Sequence, residues 1–427
     1  MSDESSAQAG RGPGKRLVFC LDGTWNNRTS STNVFHLHNL VAERDEAGVR
    51  QLRYYDEGVG TGALDRVSGG LFGFGLNQNV ISAYEWLIEN YEDGDAIYLL
   101  GFSRGAYTAR SLGGLIMTCG LLLPGAPLTV EQLWNGYRIL GRYRDEDAND
   151  GPVENLWEKI AGREKPSFRP LIKLKWDSGK TRGDDLNRTE RLLAAWSRRV
   201  AIRCIGVFDT VGAMGWDALA IPGLRTRIAA FHNTNPSTLI QHAFHALAID
   251  EHRANFKHVP WRRYVPHGGK EKPRAWETYE QRWFTGAHAN VGGGYENNPL
   301  ALFPLEWMVR KTAATGLAFR RTPALPSMDD CLPLVKRVKG GNAPAVRDSY
   351  REFMFGVWRA LPVTRRHYRT LAPGPVNCGS FSLESVNETV DESVRAFWEA
   401  DPDYRPPNLV DYYRRKSAKD PASGASS

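Results

Sequence analysis

Residues 96–110 read AIYLLGFSRGAYTAR, and this stretch decides the fold class. The apolar run 97–100 has the character of a buried strand, and a G-x-S-x-G pattern follows it directly, before a segment typical of a helix. Gly101 and Gly105 each lie two positions from Ser103, where side chains would collide with neighbouring strand and helix backbone. This order predicts a nucleophile elbow that raises Ser103 at a helix N-terminus. The alternative is a glycine-rich turn with an N-capping serine.

Strand-like and helix-like runs alternate on both sides of this stretch. The alternation predicts a doubly wound, mainly parallel α/β sheet that is covered by helices on both faces. The runs that predict strands are 16–21 (RLVFCL), 51–56 (QLRYYD), 201–215 (AIRCIGVFDTVGAMG) and 278–286 (TYEQRWFTG). Those that predict helices are 79–91, 104–119 and 237–253 (STLIQHAFHALAIDEHR).

Four segments are predicted along the chain. The main one is an α/β domain over residues 15–316, with a helical insertion at about 121–199 that we interpret as a cap. A partly helical C-terminal extension follows over 317–415. The two ends, 1–14 and 416–427, are polar and rich in small residues, which predicts disorder.

The composition excludes several functional classes. The chain has 427 residues, of which 41% are hydrophobic and 24% charged. No run approaches the roughly 18 apolar residues of a membrane span, and the first residues lack the apolar stretch of a signal peptide. These features predict a cytoplasmic product, with export by a signal-independent route left open. The net charge of +7 comes without a Lys/Arg block, so nucleic acid is not a predicted partner.

Cysteine and histidine patterns predict neither a disulfide framework nor a metal centre. The five cysteines are scattered and never spaced as CxxC. His36 and His38 form a candidate pair without a third ligand at a recognised spacing, so we interpret them as structural. No cofactor is predicted.

A nucleophilic serine needs a base and a carboxylate, which in this fold follow it in the order Asp or Glu, then His. Asp209 ends the apolar run CIGVFDTVG at a strand edge, although an ordinary turn-initiating aspartate is the alternative. His288 lies between RWFTGA and NVGGGY, which predicts a glycine-rich loop that is free to swing over Ser103. The rival histidines lie in a predicted helix and are interpreted as core or capping residues: His242, His245 and His252.

Two backbone N–H groups are predicted to form the oxyanion hole. One belongs to Arg104, directly after the nucleophile. The other belongs to Thr24 in LDGTWNN (21–27), where Gly23 lets the backbone bend and Asp22 holds the loop. The alternative for this loop is an Asx-turn without a ligand.

A second glycine-rich stretch, residues 58–75, has seven glycines but lacks the GK[ST] of a phosphate-binding loop. We interpret it as a mobile loop near the mouth of the site. Apolar residues in this stretch and directly after it would form a rim that admits an acyl chain. These are Leu71, Phe72, Phe74 and Leu76.

Six motifs occur in order between about residues 15 and 315: FCLDGTWNN, YYDEGVGTG, LLGFSRGAYTAR, GVFDTVGA, HALAIDEHRANF and WFTGAHANVGGGY. In this combination the chain resembles the α/β-hydrolase family catalogued as domain of unknown function 2235. That family includes the catalytic domains of phospholipase effectors delivered by bacterial type VI secretion. The resemblance implies a Ser-Asp-His hydrolase with Ser103, Asp209 and His288 at the matching positions.

One departure from the family pattern follows the histidine. The family commonly reads Ser-Asp-Val-Gly-Gly-Gly, whereas here Ala289 and Asn290 precede Val291. A metal or arginine contact of that acidic side chain is therefore not carried over to this chain.

The expected function is hydrolysis of a carboxylic ester, of a phospholipid or another lipid, through an acyl-enzyme. The alternatives are a hydrolase of soluble esters or thioesters and a non-catalytic scaffold with the same fold. Peripheral membrane contact is suggested by the basic charge, the apolar rim and mixed aromatic and basic residues of the insertion. Those residues are Trp134, Tyr137, Tyr143, Arg138, Arg142 and Arg144. The sequence identifies no secretion-system or immunity partner.

Overall fold

A computed structural model describes the residues 14–23, 31–58, 71–145, 186–211, 239–254, 256–268, 276–295, 298–320, 346–352, 366–379 and 381–419. Side chains are described throughout these ranges except at 71–74, 139–145, 352 and 419.

Twelve strands are distributed along the described part of the chain. Their bounds are β1 (Arg16–Leu21), β2 (Gln51–Asp56), β3 (Ala96–Phe102), β4 (Leu121–Leu122), β5 (Ser197–Arg198), β6 (Ile202–Phe208), β7 (Ile240–Ala248), β8 (Arg262–Pro266), β9 (Tyr279–Phe284), β10 (Val376–Asn377), β11 (Phe381–Ser385) and β12 (Glu388–Val390). In the described part of the chain, seven of them form one sheet in the order β12-β9-β7-β6-β3-β1-β2. Every neighbouring pair is parallel, which confirms the predicted α/β class.

Helices cover both faces of this sheet. The described helices are α1 (Asn33–Leu40), α2 (Leu71–Asn90), α3 (Ser103–Cys119), α4 (Val130–Asp145), α5 (Arg188–Trp196), α6 (His288–Gly292), α7 (Leu302–Ala314), α8 (Ser349–Glu352), α9 (Glu392–Ala400) and α10 (Pro407–Lys419). The alternating side chains of β1 enter two different hydrophobic cores. Phe19 packs in the core that includes residues of α2, α3 and α4, whereas Val18 packs in the core formed with α1, α7 and α9. The two cores confirm the doubly wound arrangement.

The segment predicted as a helix at 237–253 is instead the central strand β7, which lies between β6 and β9. The prediction was wrong because both faces of this strand are covered, so the run lacks the polar and apolar alternation of a half-exposed strand. Such a run is indistinguishable from a buried helix by periodicity alone.

The predicted cap is only partly described, since residues 146–185 lie outside the described ranges. The antiparallel pair β4 and β5 joins the two ends of the insertion. Trp134 is 1% exposed and Tyr137 is 7% exposed, because both pack into the core beneath α4. The prediction that these two aromatic rings face a membrane was therefore wrong. The side chains of Arg142, Tyr143 and Arg144 are not described.

The end of the glycine-rich stretch is helical and not the predicted loop. Residues 59–70 lie outside the described ranges, but α2 already begins at Leu71. The four apolar residues that were assigned to a mobile loop therefore have helical backbone. Leu76 is buried and is not part of an exposed rim.

The C-terminal segment is joined to the main sheet through β12, which pairs with β9. It also forms a small antiparallel sheet in which β11 lies between β10 and β8. Helix α10 continues to Lys419, so the first four residues of the predicted disordered tail are helical. None of the described helices is long and apolar enough to cross a membrane.

Candidate active site

Ser103 occupies a strained turn between β3 and α3. It is the first residue of the helix and has a φ of 56°, in the left-handed region that non-glycine residues rarely adopt. Such strain is characteristic of functional positions and requires support from the surrounding structure. The turn directs the hydroxyl of Ser103 towards His288, whose Nε2 atom lies 2.8 Å from Oγ.

The glycines on either side of Ser103 allow close backbone contacts. A Cβ atom on Gly101 would lie 2.6 Å from the carbonyl oxygen of Gly105, and one on Gly105 would lie 2.1 Å from the carbonyl oxygen of Leu21. Real side chains do not tolerate such distances. The helix can therefore pack directly on the end of β1 only because both positions lack a side chain.

His288 is the first residue of the short helix α6, which follows β9. It is buried, and its Nδ1 atom lies 2.6 Å from Oδ2 of Asp209. The ring packs between two aromatic rings, with centroid distances of 4.7 Å to Phe102 and 5.3 Å to Phe256. The prediction of a loop that swings freely was wrong, because these contacts fix the imidazole in place.

Asp209 follows β6 directly and also has a positive φ, of 36°. Its Oδ1 atom accepts a hydrogen bond from the backbone N–H of Ala248 at 3.1 Å and another from Nη1 of Arg369 at 2.6 Å. Nη2 of Arg369 donates to Oδ2 at 3.1 Å. Burial alone would raise the pKa of Asp209, but the Arg369 charge and the hydrogen bond with His288 hold it well below its ordinary value.

Arg369 is one residue of this site that sequence reasoning missed. It lies in the C-terminal segment, is 1% exposed and forms a bidentate ion pair with Asp209. No motif surrounds it in the stretch RTLAPGPV. A buried arginine requires a carboxylate partner, so knowledge that Arg369 is buried would have pointed to such a contact. The sequence alone does not show that Arg369 is buried.

Glu251 lies behind the histidine. It is fully buried, and its Oε2 atom accepts a hydrogen bond from the backbone N–H of His288 at 3.3 Å. Its side chain also accepts from Arg253 and from Ser349. Burial would raise the pKa of Glu251, but the charge of Arg253 lowers it to about 2. The carboxylate is therefore ionised at neutral pH and supports the start of α6.

The pKa of His288 is lowered from its ordinary value of 6.5, chiefly because burial disfavours the charged ring. The hydrogen bond with Asp209 and the nearby charges of Asp209 and Glu251 oppose this effect without cancelling it. The imidazole is therefore neutral at pH 7. With its Nδ1–H donated to Asp209, its Nε2 lone pair can accept the Ser103 proton.

Of the two residues predicted to donate to the oxyanion, only Arg104 lies within the described part of the chain. Arg104 is the second residue of α3, next to Ser103, and burial lowers its pKa to about 10, so its guanidinium is charged at pH 7. Thr24 lies outside the described residues. Asp22, at the start of that loop, is buried and accepts hydrogen bonds from Gly23 N, from the Thr32 hydroxyl and from the Tyr55 hydroxyl. Asp22 thus ties the end of β1 to α1 and β2.

Asn290, where the family commonly has an aspartate, has a structural role. Its Oδ1 atom accepts a hydrogen bond from Ala287 N at 3.0 Å and another from Arg347 N at 3.3 Å, and its amide donates to Asn298. These contacts cap the turn that presents His288.

The segment that contains the rival histidines is a strand and not the predicted helix. His242 and His245 are on the strand β7, and His252 follows it. His245 is buried and accepts a hydrogen bond from Thr210 N, so its ring belongs to the core behind Asp209. His36 and His38 lie on α1. Among the described residues, no group of three or more His, Cys, Asp or Glu side chains is arranged to hold a metal ion.

Fold and geometry define the class of this protein. Ser103, Asp209 and His288 follow the carboxyl ends of β3, β6 and β9 in one parallel sheet, which is the arrangement of an α/β-hydrolase. The chain belongs to the family of type VI secretion phospholipase effectors of the Tle1-like kind, whose catalytic-domain model matches residues 15–311.

Individual relatives are distant. The uncharacterized protein YEL023C of Saccharomyces cerevisiae (strain ATCC 204508 / S288c) is 29% identical over 265 residues, which are 58% of this chain and 32% of the yeast protein. A solved structure of the Tle1 effector bound to the VgrG spike from the type 6 secretion system is 18% identical, with a TM-score of 0.33, over 67% of this chain and 52% of the effector chain. An uncharacterized protein from Pseudomonas aeruginosa is 15% identical, with a TM-score of 0.35, over 82% of this chain and 51% of its own.

Proposed function

We propose that this protein is a serine hydrolase that cleaves the carboxylic esters of phospholipids through a covalent acyl-enzyme. The observation that carries the proposal is the continuous hydrogen-bonded chain from Ser103 through His288 to Asp209, which begins at a strained serine on a helix N-terminus. Membership of a phospholipase effector family supports the choice of phospholipid.

The proposed reaction follows from the geometry. Oγ of Ser103 attacks the ester carbonyl carbon while Nε2 of His288 takes its proton, and the carbonyl oxygen becomes an oxyanion. The N–H of Arg104, and in our proposal that of Thr24, stabilise this oxyanion. The tetrahedral species collapses when Nε2 returns the proton to the departing alcohol. Water then attacks the acyl-enzyme by the same proton route and releases the fatty acid.

Asp209 has two proposed tasks. By accepting the Nδ1–H it fixes the tautomer in which Nε2 faces Ser103. Its negative charge also stabilises the imidazolium that forms in each half-reaction. Both tasks require an ionised carboxylate, and the low pKa of Asp209 meets this requirement.

A hydrolase of soluble esters is the second candidate. The burial of Trp134 and Tyr137 favours it, because these rings are not available to enter a headgroup layer. The family nevertheless supports a lipid substrate and delivery by type VI secretion.

One experiment tests both points. Purified protein is assayed on phosphatidylglycerol-containing vesicles and on short p-nitrophenyl esters, with Ser103→Ala as control. We expect fatty acid release from the vesicles by the wild type alone. Turnover of soluble esters without vesicle cleavage would favour the second candidate, and equal turnover by Ser103→Ala would refute serine catalysis.

A further inference from the structure

Arg369 contacts both oxygens of the Asp209 carboxylate, including Oδ2, which also contacts His288. The two guanidinium nitrogens bind one carboxylate oxygen each, and the same nitrogens donate to the carbonyl oxygens of Ala248 at 3.0 Å and Phe256 at 2.7 Å. A planar fork bound at four points leaves neither partner free to rotate. The orientation of Asp209 is therefore fixed by a residue beyond the end of the family match at residue 311.

The same C-terminal segment also reaches the support of His288. The hydroxyl of Ser349 donates to both oxygens of Glu251, at 3.0 and 3.1 Å, and Glu251 in turn accepts the backbone N–H of His288. Backbone contacts hold the segment there, since His367 N donates to the carbonyl of His252 and Arg366 forms a β-bridge with Arg253. Two separate contacts thus connect this segment to the candidate site.

We propose that Arg369 is a positioning residue that holds Asp209 towards His288, and that the segment after residue 311 is therefore a required part of the catalytic unit. This inference rests on the proposed serine hydrolase function. Arg369 acts through Asp209 rather than on the substrate. Its charge also counters part of the attraction between Asp209 and the imidazolium.

The charges around the pair determine what loss of Arg369 does. Asp209 and Glu251 are the anions that face His288, Arg369 and Arg253 are the cations, and His245 and His258 lie nearby with lowered pKa values. When the positive charge of Arg369 is removed, the remaining negative charge favours the imidazolium. His288 then has to be deprotonated at a higher pH before it can act as a base.

The test compares Arg369→Met with the wild type by the pH dependence of kcat/KM on one ester. We expect a loss of about 100-fold at the optimum, since Asp209 loses its orientation. We also expect the acidic limb of the profile to move up by about one pH unit. Arg369→Lys, which keeps a point charge without the fork, should keep the limb in place and recover part of the rate.

Arg415→Met is the matched control. Arg415 anchors the same segment by donating to the carbonyls of Leu371 and Ala372, yet it pairs with Asp411 and not with Asp209. We expect it to leave the limb unchanged. A limb shift in Arg415→Met equal to that in Arg369→Met would overturn the proposal, as would a wild-type rate and profile in Arg369→Met.

Covalent labelling by a fluorophosphonate separates this proposal from the one on which it rests. Absence of labelling in the wild type would refute the serine hydrolase. Normal labelling in the wild type together with unchanged labelling in Arg369→Met would refute only the role of Arg369. If the Met variant does not fold, Arg369→Lys decides the question: a wild-type rate for this variant shows that the bidentate contact is not required.

Discussion

Oγ of Ser103 and Nε2 of His288 lie 2.8 Å apart, although 185 positions of sequence separate the two residues. One residue begins α3 after β3 and the other begins α6 after β9, so the contact spans β6 and β7, which lie between these two strands in the sheet. We therefore expect a reagent directed at nucleophilic serines to react with Ser103.

Ser103→Ala should therefore abolish fluorophosphonate labelling and ester hydrolysis. The backbone strain is the same for Ala as for Ser, and only the hydrogen bond to His288 is lost, so we expect the free energy of unfolding to change by no more than about 1–2 kcal/mol. Mass spectrometry of the labelled peptide and chemical denaturation measure the two effects. Labelling at another serine would show that the nucleophile lies elsewhere.

Asp209→Asn should lower kcat by a factor on the order of 10⁴, because an amide favours the wrong histidine tautomer. It should also destabilise the fold by about 3–5 kcal/mol, since the buried Arg369 loses its counter-charge. The double variant Asp209→Asn/Arg369→Met removes both charges. We expect it to regain stability but not activity, and recovery of activity would contradict the proposed role of Asp209.

Asp250→Asn should affect stability in a pH-dependent way while leaving turnover within about threefold of the wild type. Burial raises the pKa of Asp250 to about 6, and its Oδ2 atom accepts from Gly286 N and the Tyr404 hydroxyl, which an amide oxygen can also do. Because the folded-state pKa lies above the unfolded value of 3.8, the wild type loses stability as the pH rises through this interval. Relative to the wild type, the variant should gain up to about 3 kcal/mol between pH 4 and pH 7.

Thermal unfolding of both proteins at pH 4 and pH 7 measures this effect. A constant difference between them at the two pH values would show that Asp250 titrates normally. If Asp250→Asn costs more turnover than Asp209→Asn, the assignment of the third catalytic group is wrong.

The acidic limb of the kcat/KM profile should have its midpoint below pH 6.5. Burial lowers the pKa of His288 below this ordinary value, so the imidazole remains a neutral base in mildly acidic solution. The profile is best measured in the Asp250→Asn background, which removes a second group that titrates near pH 6. A midpoint at pH 7 or above would mean that the anions around the ring outweigh its burial.

Gly105→Ala should destabilise the fold by about 3 kcal/mol or more, because its Cβ would overlap the carbonyl oxygens of Leu21 and Asp22. Gly374→Ala is the matched control, since a Cβ at that position meets no atom within 4 Å. Urea denaturation of the two variants gives the comparison. Equal stability would show that β1 and α3 can move apart without cost.

Much of the sheet was predictable from local pattern. Apolar runs such as 16–21 and 96–100 are bounded by turn residues, which predicts strands. The structure has β1 and β3 at these positions. The same reasoning failed at β7, because a strand with both faces covered lacks the alternation of polar and apolar residues and resembles a buried helix. A central strand is specified by its two neighbours, and that information lies far away in sequence.

At the site, sequence reasoning identified residues whose neighbours form motifs. The structure brings three of them together: Ser103, Asp209 and His288. Sequence reasoning could not identify Arg369, because that residue contacts Asp209 through an ion pair that forms only when the chain is folded. It also could not show that Trp134 is buried, since an aromatic residue among arginines has the same local pattern on a surface as over a core.

The edge strand β12 has a consequence for the timing of folding. This strand pairs with β9, which ends just before His288, yet it is synthesised about 100 residues later, a delay of about 5–20 s at the usual rates of translation. Throughout that interval the nascent chain already carries its serine, aspartate and histidine but lacks Arg369 for most of it. If our proposal is right, a nascent chain that ends before residue 369 is a poor hydrolase of lipid in the cell that makes it, because the residue that holds its catalytic aspartate has not yet been translated.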